Sequence, residues 1–168
     1  MTATLSSLRE EHRELLPRVE WLKEVADLVD LASVEAVITE LEEAYIFLTH
    51  HVLPHARAEE ETLYRAYDQV ANSPWATDTM KRDHAEVEKL TQELIGLRLL
   101  LFTDALTNEQ KQELRRVMFG LYTLLKIHFR NEEELILPRI EAGITQEAAD
   151  QLTASMAKAE KAHRSAVV

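Results

Sequence analysis

Cysteine is absent from all 168 residues, so the chain can form no disulfide, supply no thiolate ligand and deploy no cysteine nucleophile. Any metal it holds must be bound through nitrogen and oxygen. Glycine and proline are scarce, at three and four, which leaves few natural interruptions to helix. No apolar run approaches the roughly 18 residues that a spanning helix needs, and the opening residues lack both the basic part and the long apolar part of a signal peptide. A cytoplasmic location is therefore expected. Positive charge is also short: 19 basic residues face 30 acidic ones, for a formal net charge of −11. Such a field repels phosphate backbones and anionic lipid surfaces, so neither nucleic acid nor membrane is an expected partner.

What is plentiful is Leu, Glu, Ala, Lys and Arg, the residues that lose least on entering a helix. Hydrophobic residues make up 46% of the chain, enough for one good core. The expectation is an all-α single domain over residues 1–168. Four long helices form an antiparallel up-down bundle with its core over about 5–141, and a shorter helix follows over about 145–164.

Apolar spacing places the helices. Leu5, Leu8, His12, Leu15, Val19, Leu22, Ala26 and Val29 alternate steps of three and four along one face, from about 4 to 31. Pro17 falls inside this helix and removes one backbone donor, which predicts a local kink or a solvated carbonyl. Ser33 caps a second helix reaching about 70, striped by Val37, Leu41, Ala44, Leu48, His51 or Val52, His55, Glu59, Leu63 and Ala66. Ser73 and Pro74 open a third, with His84, Val87, Thr91, Leu94, Ile95 and Leu101 inward and a turn at Thr103-Asp104. Thr107 and Gln110 have capping-box spacing and open a fourth, striped by Leu114, Val117, Leu121, Leu124, His128, Glu132, Leu135 and Arg139 until Gly143 stops it. Thr145 starts the last helix.

Two of these helices carry the same pattern. His55-Ala-Arg-Ala-Glu59-Glu60-Glu61 and His128-Phe-Arg-Asn-Glu132-Glu133-Glu134 align without gaps, and their partner segments around His12 and His84 match as well. The chain reads as a duplicated helical hairpin. At a rise of roughly 1.5 Å per residue, His12 lies about 30 Å before the turn near residue 32 and His55 about 34 Å after it. His84 and His128 stand about 31 Å and about 34 Å from the turn near 105, by the same rise. All four histidines thus reach one layer of the bundle.

Positions i and i+4 share a helix face, so Glu59 and Glu132 point into the same interior as His55 and His128. Two buried carboxylates would each suffer desolvation and the charge of the other. Two di- or trivalent cations remove both costs, each carboxylate bridging the pair and two imidazoles terminating each ion. The expected ligands are His12, His55, Glu59, His84, His128 and Glu132. Without sulfur, that set suits iron first and manganese or zinc second. The pair of Glu-x-x-His motifs of ferritin-like proteins is missing, since only Glu160 and His163 in the last helix have that spacing, and so is the zinc-protease His-Glu-x-x-His pattern.

The order His12, His55 to Glu59, His84, His128 to Glu132 resembles the hemerythrin-like HHE cation-binding domain, over about residues 5–141. The resemblance implies two iron ions, oxo- or hydroxo-bridged, that handle dioxygen, hydrogen peroxide or nitric oxide, with a catalase-like, peroxide-decomposing activity as one form. It also implies that His12 and His55 hold one iron, His84 and His128 the other, and that Glu59 and Glu132 bridge. The alternative is an iron- or oxygen-sensing module without turnover. The chain departs from the oxygen-carrying hemerythrins, which have a second histidine where Glu88 stands and an aspartate where Glu133 stands. One iron then lacks a histidine and keeps an exchangeable position, which favours peroxide chemistry or sensing over oxygen carriage.

The other polar residues have plainer readings. His51 lies one turn from His55, where the duplicate has Leu124, and caps the pocket, supports the ligands or serves as an extra one. His50 and His163 are expected at the surface. Glu60, Glu61, Glu133 and Glu134 are expected to form a solvated acidic face, with Glu60 and Glu133 close enough to tune a metal. Tyr45, Tyr64 and Tyr122 read as packing residues, the alternative being that one of them contacts the centre as a phenol donor. Leu97 to Phe102 reads as core or subunit contact, in a monomer or homodimer.

Overall fold

The computed structural model describes residues 3–101 and 105–166, and among them there is helix and no strand. The helices are α1 (Ser6–Leu28), α2 (Val34–Phe47), α3 (Leu53–Glu61), α4 (Leu63–Val70), α5 (Asp78–Leu99), α6 (Asn108–Asn131), α7 (Leu137–Gly143) and α8 (Gln146–Ser165). The segments α2 to α4 form one rod and α6 to α7 another. With α1 and α5 they make a four-helix bundle in which α1 packs on α2 and α6, and α5 on the same two. The last helix, α8, lies against α3 and α4. No helix among the described residues is long and apolar enough to cross a membrane. Phe102 and the expected turn at Thr103-Asp104 lie outside the described residues.

The predicted caps form where the side chains allow. Ser33 accepts from the Ala36 N–H, Thr145 from the Ala148 N–H, and Thr107 with Gln110 completes a reciprocal capping box. All eight residues of the α1 stripe are buried, and α1 runs unbroken through Pro17. Ser73 and Pro74 do not start the third helix. Instead Thr77 anchors on the Asp68 carboxylate through both its N–H and its hydroxyl, at 3.1 and 3.0 Å, and α5 begins only at Asp78. Gly143 does end α7, but with no left-handed backbone. It packs so closely on Val70 that a Cβ would lie 2.4 Å from a Val70 methyl.

Two rods contain a widened π-helical turn, Leu48–Val52 and Glu132–Ile136. Each is followed by a proline, Pro54 or Pro138, which lacks an N–H and collides with the carbonyl four residues back. The chain answers by bonding the Leu53 N–H to the Leu48 carbonyl and the Leu137 N–H to the Glu132 carbonyl, one residue further back than in an α-helix. The added residue rotates everything after it. The stripe expected to continue through Leu135 and Arg139 moves to Ile136, Leu137 and Ile140, leaving Leu135 61% exposed and Arg139 at the surface.

Candidate metal centre

Two apolar clusters fill the bundle, one containing Leu15, Leu53 and Phe129, the other Leu8, Leu63 and Ile136. Each pair of those residues brackets a polar position on its own rod: Leu8 and Leu15 flank His12, Leu53 and Leu63 flank His55 and Glu59, and Phe129 and Ile136 flank Glu132. The result is a polar layer between two apolar ones. His12, His55, Glu59, His84, His128 and Glu132 are all buried in it, none more than 7% exposed.

Each carboxylate spans the layer. Glu59 Oε1 lies 3.1 Å from His55 Nε2 and 3.6 Å from His12 Nε2, while its Oε2 lies 3.4 Å from His84 Nε2. Glu132 Oε2 lies 3.5 Å from His12 Nε2 and its Oε1 3.4 Å from His128 Nε2. The donors therefore divide into a half around His12 and His55 and a half around His84 and His128, with one oxygen of each glutamate in each half.

Of the three tyrosines read as packing residues, Tyr64 takes the alternative place, at the centre. Its hydroxyl donates to Glu132 Oε1 at 2.6 Å and sits 3.2 Å from both His84 Nε2 and His128 Nε2, its ring stacked on His84. The aligned repeat shows only that Tyr64 falls opposite Leu137, and the burial of that position comes to light with the fold. Tyr45 and Tyr122 lie elsewhere, against Arg98 and Lys126.

The glutamates expected on a solvated face divide into two pairs. Glu61 and Glu134 meet His163 and Arg130 at the surface, at 3.0 and 2.9 Å. Glu133 and Glu60 turn inward and accept hydrogen bonds from the Nδ1 atoms of His12 and His84, both at 2.8 Å. Asp83 does the same for His128 at 3.3 Å, and Glu11 stands 3.8 Å from His55 Nδ1. Support of this kind fixes which nitrogen faces a metal and makes it a better donor. The arrangement obeys the duplication, each imidazole being backed by the acid next to a candidate ligand on a neighbouring rod. Glu88 is half exposed and paired with Arg57 at 3.1 Å, away from the layer.

The donor set fits a pair of cations. His12 Nε2, His55 Nε2, both oxygens of Glu59 and Glu132 Oε2 are buried and form no hydrogen bond, and each such orphan costs about 1–3 kcal/mol. His84 Nε2 and His128 Nε2 approach to 2.9 Å. One N–H donating to the other ring's lone pair satisfies that contact without a metal, and two lone pairs aimed at one ion would stand at a similar distance. Ligands at about 2.1 Å from a metal are spaced about 3.0–3.4 Å from one another, close to the separations found here.

Burial pushes the His12 imidazole down, and its hydrogen bond with Glu133 and the carboxylates of Glu59 and Glu132 more than reverse this, raising it from 6.5 to about 10. His128 reaches about 10 likewise, burial being outweighed first by the charge of Glu132 and then by the Asp83 hydrogen bond. Burial raises the Glu59 carboxyl, but the charge on His55 and the close approach of the His12, His55 and His84 imidazoles hold it well below the usual carboxylate range. In chelated protein these imidazoles therefore carry protons that a metal must displace. Adding metal near pH 7.5 is expected to release about two protons per chain, read by a pH-stat. The raised imidazoles stabilise the chelated fold fully below pH 6.5, and that contribution is lost as pH climbs through about 10. A chelated protein whose melting temperature rose over that interval would contradict the assignment.

A family model described as Hemerythrin HHE cation binding domain matches residues 3–101, more than half of the chain. The chain belongs to the hemerythrin HHE family. No curated protein and no solved structure matches it. The matched span holds His12, His55, Glu59 and His84. The remaining pair of this HHE domain, His128 and Glu132, lies beyond it and is brought in by the fold. Membership and the buried cluster together establish a cation-binding domain.

Proposed function

We propose that this HHE domain holds two iron ions and brings peroxide, dioxygen or nitric oxide to one of them. The observation that carries the reading is the split of each glutamate's oxygens between two histidine pairs. His12 and His55 hold one ion, His84 and His128 the other, and Glu59 and Glu132 join the two. Bound iron would supply redox electrons and Lewis acidity to a small oxygen- or nitrogen-containing molecule.

The chain's own residues set up an asymmetry. Tyr64 adds an oxygen to the His84–His128 half, and its counterpart Leu137 can add none to the other. Burial first, then the charges of Glu132 and Glu59, push the Tyr64 phenol well above its ordinary value, so it keeps its proton until a cation competes for the oxygen. The His12–His55 half thus has fewer protein donors and is the place for an exchangeable position. Phe129 covers the layer from one side, stacked on His12 at 4.8 Å and 6.0 Å from the rings of His55 and His128, which excludes bulk water.

Anaerobic reconstitution with ferrous iron should load about two ions per chain, and the spectrum should change on adding peroxide. Tyr64→Phe should keep the iron and remove the visible absorption that a phenolate gives on ferric iron. Iron uptake far below one ion per chain, or a spectrum indifferent to peroxide, dioxygen and nitric oxide alike, would overturn the proposal.

A further inference from the structure

A cavity of about 230 Å³ lies between α1, the first π turn and α8, and its lining includes Glu11, Leu15, Arg18, Phe47 and His51. Leu15 and His51 each stand one helical turn from His12 and His55, on the face those histidines use. The cavity therefore adjoins the half with fewer protein donors. The duplicated half is built differently at the same level. The offset that carries His12 onto His84 carries Arg18 onto Leu90, and the offset that carries His55 onto His128 carries His51 onto Leu124 and Phe47 onto Gly120. There Leu90 is buried and packs so tightly on Gly120 that a Cβ would meet it at 3.3 Å. In the first half Phe47 carries the Arg18 guanidinium over its ring at 4.8 Å and the His51 ring at 6.2 Å, so one aromatic face positions both polar groups. The duplicate shows that the fold accepts leucine at both positions.

We infer that this cavity is a docking site for a small protic oxidant of the hydrogen peroxide class, with His51 accepting its proton and Arg18 holding the resulting anion. The inference rests on the proposed iron-dependent function. The step is a proton transfer: the O–H bond of hydrogen peroxide breaks, an N–H bond forms on the His51 imidazole, and the hydroperoxide anion keeps the electron pair beside the guanidinium. Electrons are not exchanged in this step.

The surroundings keep His51 able to accept. Burial, then the charges of Arg164 and Arg18, and to a smaller extent His50, push its imidazole below the ordinary value, and Glu160 opposes them. Glu11 and Glu14 from α1 also face the cavity. Glu160 is engaged by Arg164 one turn along α8, and Arg18, stacked on Phe47, also lies 3.8 Å from Glu43 of α2. No hydrogen bond engages His51 among the described residues.

The duplicate supplies the test variants, His51→Leu and Arg18→Leu, each importing the residue of the other half. Both should bind iron as the parent does and show its resting spectrum. The rate of reaction with peroxide should fall about 100-fold in His51→Leu and lose its decline toward acid pH, while the rate with nitric oxide, which has no proton to give, should stay as in the parent. In zinc-loaded protein, where no turnover occurs, added peroxide should shift the His51 imidazole resonances, and Arg18→Leu should abolish the shift. Iron loading with unchanged peroxide rates in both variants would overturn the inference while leaving the proposed function standing. Slowing of nitric oxide to the same degree would overturn the proton-accepting role. Failure of the parent to load iron would instead overturn the proposed function, and the zinc-loaded resonances would still decide the docking site.

Discussion

Glu59→Gln is expected to weaken binding at both metal positions, by more than about 100-fold, because loss of a group that merely supports a ligand already costs about 10- to 100-fold. Glutamine preserves the volume and one acceptor but removes the charge and the second equivalent oxygen. Glu59 faces His55 and His12 with one oxygen and His84 with the other, so the loss should reach both halves together. Chelator competition with cobalt or ferrous iron measures each affinity. A variant that lost one ion and retained the other at parental strength would show that Glu59 serves a single half. Glu133→Gln, at a residue that meets His12 alone among the four imidazoles and otherwise pairs with Arg9, should by contrast weaken one position, and by a smaller factor.

Stripping the metal should lower the melting temperature by about 10 °C or more. A ligand present at 1,000 times its dissociation constant stabilises by about 4 kcal/mol, and in a chain of this size each kcal/mol is worth about 2–4 °C. The chelated protein keeps two carboxylates and four imidazoles in a layer that two apolar clusters enclose. Replacing both acids, as Glu59→Leu with Glu132→Leu, should make melting insensitive to chelator. It should also lower the melting temperature near pH 7 below that of the chelated parent, because the raised imidazoles of His12 and His128 stay buried without Glu59 and Glu132. Equal melting of loaded and chelated parent in differential scanning calorimetry would remove the energetic case for a metal.

The candidate ligands and the acids that support them are divided among different rods. The π turn at Glu132–Ile136 places Glu132 in the interior and lets Glu133 reach His12 from the adjacent position. The regular helix α3 does the same with Glu59 and Glu60, which approach the two ring nitrogens of His84 from adjacent positions.

Much of this was legible in the order of residues alone. Helical periodicity located the rods, three side-chain caps marked their starts, and the repeated His-x-x-x-Glu spacing put the six polar positions at one height, since rise per residue is set by backbone hydrogen bonding and hardly depends on context. Tertiary structure decided what spacing cannot encode. It turned Tyr64, Glu60 and Glu133 toward the layer, where each meets partners 20 or more residues away, and it rotated Leu135 and Arg139 outward once Pro138 forced an added residue into the turn. Those choices depend on which rods lie side by side and how a proline strains the rod it ends. Both are properties of the packed bundle and not of any single helix.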